Sequence, residues 1–98
     1  MPKGADGTAP ASDRQRLDKF LVYARFVKTR GVALDLVSAG RVRINGEKPG
    51  RPDRSLFIGD VLTLALPHAT LVVRVIAFAE RRGSPAEAQK LYVIGQPD

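Results

Sequence analysis

The stretch RLDKFLVYARFVKTRGVALDLVSAG, residues 16–40, decides the fold. In its first half Leu17, Phe20, Leu21 and Ala24 recur at i, i+3, i+4 and i+7, and Val27 extends the stripe. That is the period of a helix with one apolar face. Asp18 is placed to N-cap it, with Leu17 and Val22 as a hydrophobic staple. A second helix follows at once, from Thr29 as N-cap to Ala39, closed by Gly40 as the C′ residue. Its buried stripe is expected to be Val32, Ala33, Leu36 and Val37. Two short helices with so tight a link must pack at an angle.

Beyond Gly40 the period changes to two. Arg41-Val42-Arg43-Ile44 alternates basic and apolar residues, and Asn45-Gly46 is a two-residue hairpin signal. The returning strand near Glu47-Lys48 is cut short by Pro49, Gly50 and Pro52. Strands are expected at Ser55 to Ile58, Val61 to Leu66 and Thr70 to Ala79, with turns at Gly59-Asp60 and Pro67-His68. Ser84-Pro85-Ala86-Glu87 is a capping box with Pro at the first helical position, opening a short helix to about Leu91. The order α-α-β-β-β-β-α describes an α+β domain with two N-terminal helices on a small, mostly antiparallel sheet.

Upstream, MPKGADGTAPAS is rich in Gly, Ala and Pro and has no periodicity. Residues 1–13 read as a disordered leader, 14–94 as one domain and 95–98 as a short tail. The 98 residues carry 16 Lys+Arg against 10 Asp+Glu, a formal charge of +6. At 44% hydrophobic the chain can bury one small core. There is no cysteine and one histidine, His68, so no disulfide framework, thiolate zinc site or histidine metal cage is expected. No apolar run approaches the length of a membrane span, and nothing resembles a signal peptide. A cytoplasmic protein is expected.

Enzyme chemistry finds little support. No serine stands in a nucleophile-elbow context for His68 to activate, and neither a P-loop nor a dinucleotide fingerprint occurs. Cofactors are not expected. Of the basic residues, 11 are Arg and 5 are Lys, a bias toward groups that grip phosphate with two parallel hydrogen bonds. Seven cations, Arg16, Lys19, Arg25, Lys28, Arg30, Arg41 and Arg43, fall within 28 residues, and Asp18 and Asp35 are the only acids among them. Lys28, Thr29 and Arg30 form the link and the start of the second helix, where free N–H groups also attract phosphate. Arg41 and Arg43 share one face of the hairpin strand. A helix start, a link and a strand face can thus converge on one phosphate-reading surface.

RLDKFL, ARFVKTR, AGRVRING and IGDVLTL, in this order from Arg16 to about Leu66, closely resemble the RNA-binding domain named after ribosomal small-subunit protein S four, also called the αL motif. ERRGSPAEAQKLY, residues 80–92, further resembles the bacterial heat-shock-protein-fifteen family. The resemblance implies two helices packed on a small sheet, with RNA lying across helices and hairpin. Carried over residue by residue, Arg16, Lys19, Arg25, Lys28, Thr29 and Arg30 face RNA, and the hairpin adds Arg41, Arg43 and Asn45. Asn45 and Gly46 are also needed by the turn itself. Asp18 is a cap or an orienting partner for an arginine, and Phe26 either packs in the core or stacks on an exposed base. Leu34 stands where these relatives often carry a basic residue, and the basic C-terminal extension of longer members is not seen before Asp98.

By the same resemblance the chain binds large-subunit rRNA and peptidyl-tRNA on stalled or dissociated large ribosomal subunits, in recycling, quality control or the heat-shock response. It is expected to act as a monomer, by binding and without catalysis. Two other readings stay open: a general structured-RNA or DNA-binding module, and an accessory RNA-binding subunit of an RNA-modifying enzyme.

Overall fold

The computed structural model describes residues 14–95. The leader expected over 1–13 and the last residues of the tail, 96–98, lie outside the described residues. The elements run β1 (Arg14–Arg16), α1 (Leu17–Tyr23), α2 (Arg30–Ser38), β2 (Val42–Ile44), β3 (Ser55–Phe57), β4 (Val61–Leu66), β5 (Ala69–Val75), α3 (Pro85–Ala88) and β6 (Tyr92–Ile94). All strand pairing is antiparallel: β1 pairs with β3, and a second sheet has the order β2-β4-β5-β6. The fold is α+β, with two N-terminal helices and a short C-terminal one.

The predicted apolar stripe of the first helix is the centre of the core. Leu17, Phe20 and Leu21 are fully buried, and Ala24 and Val27 nearly so, against Val42, Ile44, Leu56, Leu62, Leu64, Val73 and Val75 from the strands. The alternation along β2 and β4 is the reason: the even-numbered residues Val42, Ile44, Leu62 and Leu64 turn inward while Arg43 stays exposed opposite Thr63.

The two N-terminal helices differ from the sequence reading in three details. Helix α1 stops at Tyr23 although the apolar period continues. Arg25 adopts φ 64°, and the N–H groups of Arg25 and Phe26 donate back to Val22 O and Leu21 O. This is a Schellman ending with arginine where glycine is usual, so Val27 reaches the core from the link and not from a helix. The same ending closes α2, this time with the expected residue: Gly40 has φ 75°, and Gly40 and Arg41 donate to Val37 O and Leu36 O.

The second difference is at the start of α1. Its N-cap is Arg16, in extended backbone with no side-chain cap. The first helical N–H groups are satisfied by a neighbouring loop, Leu17 and Asp18 each donating at 2.9 Å to Arg54 O and Pro52 O. Asp18 is therefore inside the helix and not its cap, and the Leu17–Val22 staple falls with that assignment. Third, Val32 of the expected α2 stripe is 44% exposed, whereas Ala33 is buried and Leu36 and Val37 pack partly on the core.

Downstream, Asn45 and Gly46 take φ 52° and 86°, and Ile44 and Glu47 exchange backbone hydrogen bonds of 2.7 and 3.0 Å. Both positive φ values are what a tight hairpin turn requires. The returning strand is a single bridge, as the following prolines dictate. β5 ends at Val75 and not at Ala79, because Ile76 and Ala77 both donate to Leu91 O. The chain then leaves the sheet, and Phe78 meets Phe20 edge-on with ring centroids 6.1 Å apart. The Ser84–Glu87 capping box is complete, and α3 continues as a 3-10 turn over Gln89–Leu91.

Candidate nucleic-acid interface

Asp18 is the one buried charged or polar residue among those described, with no exposed surface. Its carboxylate gathers four hydrogen bonds. Arg16 donates Nε to Oδ1 at 3.1 Å and Nη2 to Oδ2 at 2.8 Å. Arg30 donates Nε to Oδ2 at 2.9 Å, and the Lys19 backbone N–H donates to Oδ1 at 2.8 Å. Burial pushes the carboxyl up, but the hydrogen bonds from Arg16 and Arg30 outweigh it and hold Asp18 below the ordinary carboxylate range. The same bond raises the Arg16 guanidinium above its ordinary value. Of the two readings of Asp18, the orienting partner is the observed one, and it serves two arginines.

The consequence is positional. The start of α1 and the start of α2 are tied through one carboxylate, and each guanidinium is fixed by its Nε. The Arg16 and Arg30 side chains remain 39% and 62% exposed, so both present nitrogen donors to solvent. Thr29 caps α2, its Oγ1 accepting from the Val32 N–H at 3.3 Å, which aims the first N–H groups of α2 at the same side. Lys19 and Lys28 are exposed and form no ion pair among the described residues.

The other expected contacts are placed less uniformly. Arg25 lends its Nε to Gly83 O at 2.8 Å, tying the helix link to the loop before α3. Arg43 stands exposed on β2, the edge strand of the larger sheet, with Arg41 exposed just before that strand, and Arg43 Nη1 reaches its own turn at Gly46 O, 3.3 Å away. Arg41 lies at the C-terminal end of α2, a helix about 13 Å long at 1.5 Å per residue, and Arg43 follows on β2. Asn45 is held by the turn: Nδ2 donates to Asp60 Oδ1 at 3.1 Å and Oδ1 accepts from the Val61 N–H at 3.0 Å. Phe26 is half-buried with its ring 4.6 Å from that of Tyr92. Only a weak sign in the sequence marks the central position of Asp18: it is one of two acids, with Asp35, in a run of seven cations.

No described helix is long and apolar enough to cross a membrane, and no group of three or more His, Cys, Asp or Glu side chains is gathered as a metal site among the described residues.

Comparison with known proteins identifies relatives of this chain. The family model of the S4 domain matches residues 15–61. The heat shock protein 15 homolog of Aeromonas salmonicida is 36% identical over 92 residues, which cover 94% of this chain and 66% of the relative's length. The RQC P-site tRNA stabilizing factor of Bacillus subtilis is 32% identical over 79 residues, 81% of this chain and 90% of that protein. The solved trimeric structure of heat shock protein 15 from Vibrio cholerae superposes with a TM-score of 0.79 at 36% identity, covering 85% of this chain and 83% of that one. The chain spans about 57–66% of the length of the heat shock protein 15 relatives it matches. The clamp of two arginines on a buried aspartate, set on an αα-hairpin over a small antiparallel sheet, lies within the matched region, and the chain belongs to the heat shock protein 15 family of S4-domain RNA-binding proteins.

Proposed function

We propose that this chain binds structured RNA of the large ribosomal subunit, together with peptidyl-tRNA, on subunits that are stalled or dissociated. The observation that carries the reading is the Asp18 clamp, which presents Arg16 and Arg30 beside Lys19 and the start of α2. Two guanidiniums held by their Nε atoms keep nitrogen donors for phosphate oxygens and lose little side-chain entropy on binding. Arg41, just past the C-terminal end of α2, and Arg43 on β2 extend the surface in this reading, so an RNA backbone following α2 toward β2 meets both groups. RNA is favoured over DNA because a helix pair with a basic hairpin suits readout of shape and 2′-hydroxyls.

The ribosomal part of the reading is supported by similarity to a P-site tRNA stabilizing factor and to heat shock protein 15. The trimeric state recorded for the Vibrio cholerae protein leans against the expected monomer, and self-association of this chain is part of the proposal. The test is co-sedimentation of the full chain with large subunits that carry or lack peptidyl-tRNA. Retention on the peptidyl-tRNA-bearing subunits supports the reading. Equal, salt-labile binding to both, and to small subunits, overturns it in favour of a general nucleic-acid module.

A further inference from the structure

Next to the cationic surface is a cleft of about 440 Å³ between the helix link and the β4–β5 turn. Phe26, Val32 and Leu66 are among its apolar walls, and Arg25, Lys28 and His68 stand at its rim. Val32 is the anomaly: it belongs to the apolar stripe of α2 by sequence, yet it is 44% exposed and opens into this cleft. An apolar floor with cations around it matches a ligand that is flat and weakly polar in the middle and anionic at its edges.

We propose, resting on the RNA-binding reading, that the cleft takes one unstacked nucleobase of a single-stranded RNA segment, with the flanking phosphates on Arg25 and Lys28. Bases in loops and bulges are splayed out and gain by covering an aromatic or apolar surface, whatever their identity. The phosphate on either side brings the negative charge that the rim lacks. The His68 imidazole offers ring nitrogens to the edge of the seated base. A duplex holds its bases in the stack, so it reaches the arginine clamp but not the cleft. The protein thereby distinguishes an RNA with an unpaired loop from a plain stem.

Val32→Gln isolates the cleft. Position 32 is the third residue of α2 after the Thr29 cap, so glutamine there completes a Thr-x-x-Gln capping box and does not weaken the helix start. The variant and the parent are titrated with two probes, an RNA stem–loop and a blunt RNA duplex of the same stem. The variant is expected to lose about ten-fold for the stem–loop, within the range for one stacked base, and to bind the duplex unchanged. With the parent chain, a thiouridine placed in the loop is expected to crosslink to the Val32 or His68 peptide, and one in the stem is not. Unchanged stem–loop affinity, an equal loss for both probes, or crosslinks confined to other peptides overturns the base site. Weaker binding of the variant to intact large subunits with both RNA affinities kept overturns it in favour of a protein segment. A parent that binds neither RNA removes the RNA-binding reading itself, and the base site with it.

Discussion

Arg16 and Arg30, at the starts of two different helices, donate into the same carboxylate oxygen, Oδ2 of Asp18, at 2.8 and 2.9 Å. Two cations proposed to meet phosphate are drawn together by an anion with no exposed surface. Fold and site are therefore coupled at one residue: the bonds that join α1 to α2 are the bonds that aim the guanidiniums.

Replacing Asp18 with Asn tests this coupling. The arginines lose their charged acceptor and face each other unneutralised. Stability should fall by about 2 kcal/mol, the scale of hydrogen bonds to a charged group, or about 10 °C in Tm for a domain of this size. The pH dependence follows from the lowered pKa of Asp18. Its contribution is complete above the ordinary carboxylate range and is lost as pH falls through that range toward the lower native value. Thermal melts of the parent should thus steepen at acid pH more than those of Asp18→Asn. Parallel acid limbs would show that the clamp carries no such stability.

Removing the clamp arginines is not a clean test of RNA contact, because Arg16→Gln with Arg30→Gln strands a buried carboxylate. Lys19, Lys28 and Arg41 carry no such obligation among the described residues. The triple change of these three to Gln should leave Tm within about 4 °C of the parent while RNA affinity falls at least about ten-fold. Full affinity in a folded triple variant would remove these residues from the interface.

Much of this was legible in the sequence, and what was not has identifiable causes. Leu17, Phe20, Leu21, Ala24 and Val27 were read as one stripe and are one buried cluster. The helix end was missed because apolar spacing survives the bend at Arg25: a left-handed arginine gives no glycine signal. Strands β1 and β6 are three residues each and exist only through partners distant in sequence, β3 and β5. Among the site residues, the cations were countable from sequence. That Asp18 joins two of them depends on the Pro52–Arg54 loop satisfying the start of α1, which no local pattern announces.

Two positive-φ positions close the two helices and should respond in opposite ways. Gly40→Val puts a β-branched side chain at φ 75°, with its Cβ 3.4 Å from Lys48 Nζ, and should cost about 1–2 kcal/mol or more. Arg25→Gly relieves the left-handed penalty of about 1 kcal/mol but gives up the bond to Gly83 O. Its Tm should stay level or rise while RNA binding weakens. A large fall in Tm for Arg25→Gly would mean that the tether to the loop before α3 outweighs the backbone strain.

Salt dependence tests the physical basis of binding without reference to family. If five or six phosphates are neutralised by the exposed cations, log K should fall against log salt with a slope of about −4 to −5. The clamp adds a distinction between contacts. Arg16 and Arg30 are already partly neutralised by Asp18, so each displaces less counterion than Lys19 or Lys28. Deleting a lysine should therefore flatten the slope by nearly one unit. Asp18→Asn should instead leave the slope as steep or steepen it while weakening binding through lost aim. A surface that reads shape also keeps its preference for structured RNA over duplex DNA of equal length as salt rises, since A-form geometry and 2′-hydroxyls are not screened away. Competition titrations at several salt concentrations measure all three quantities. Equal affinities for RNA and DNA throughout would leave only a cationic surface.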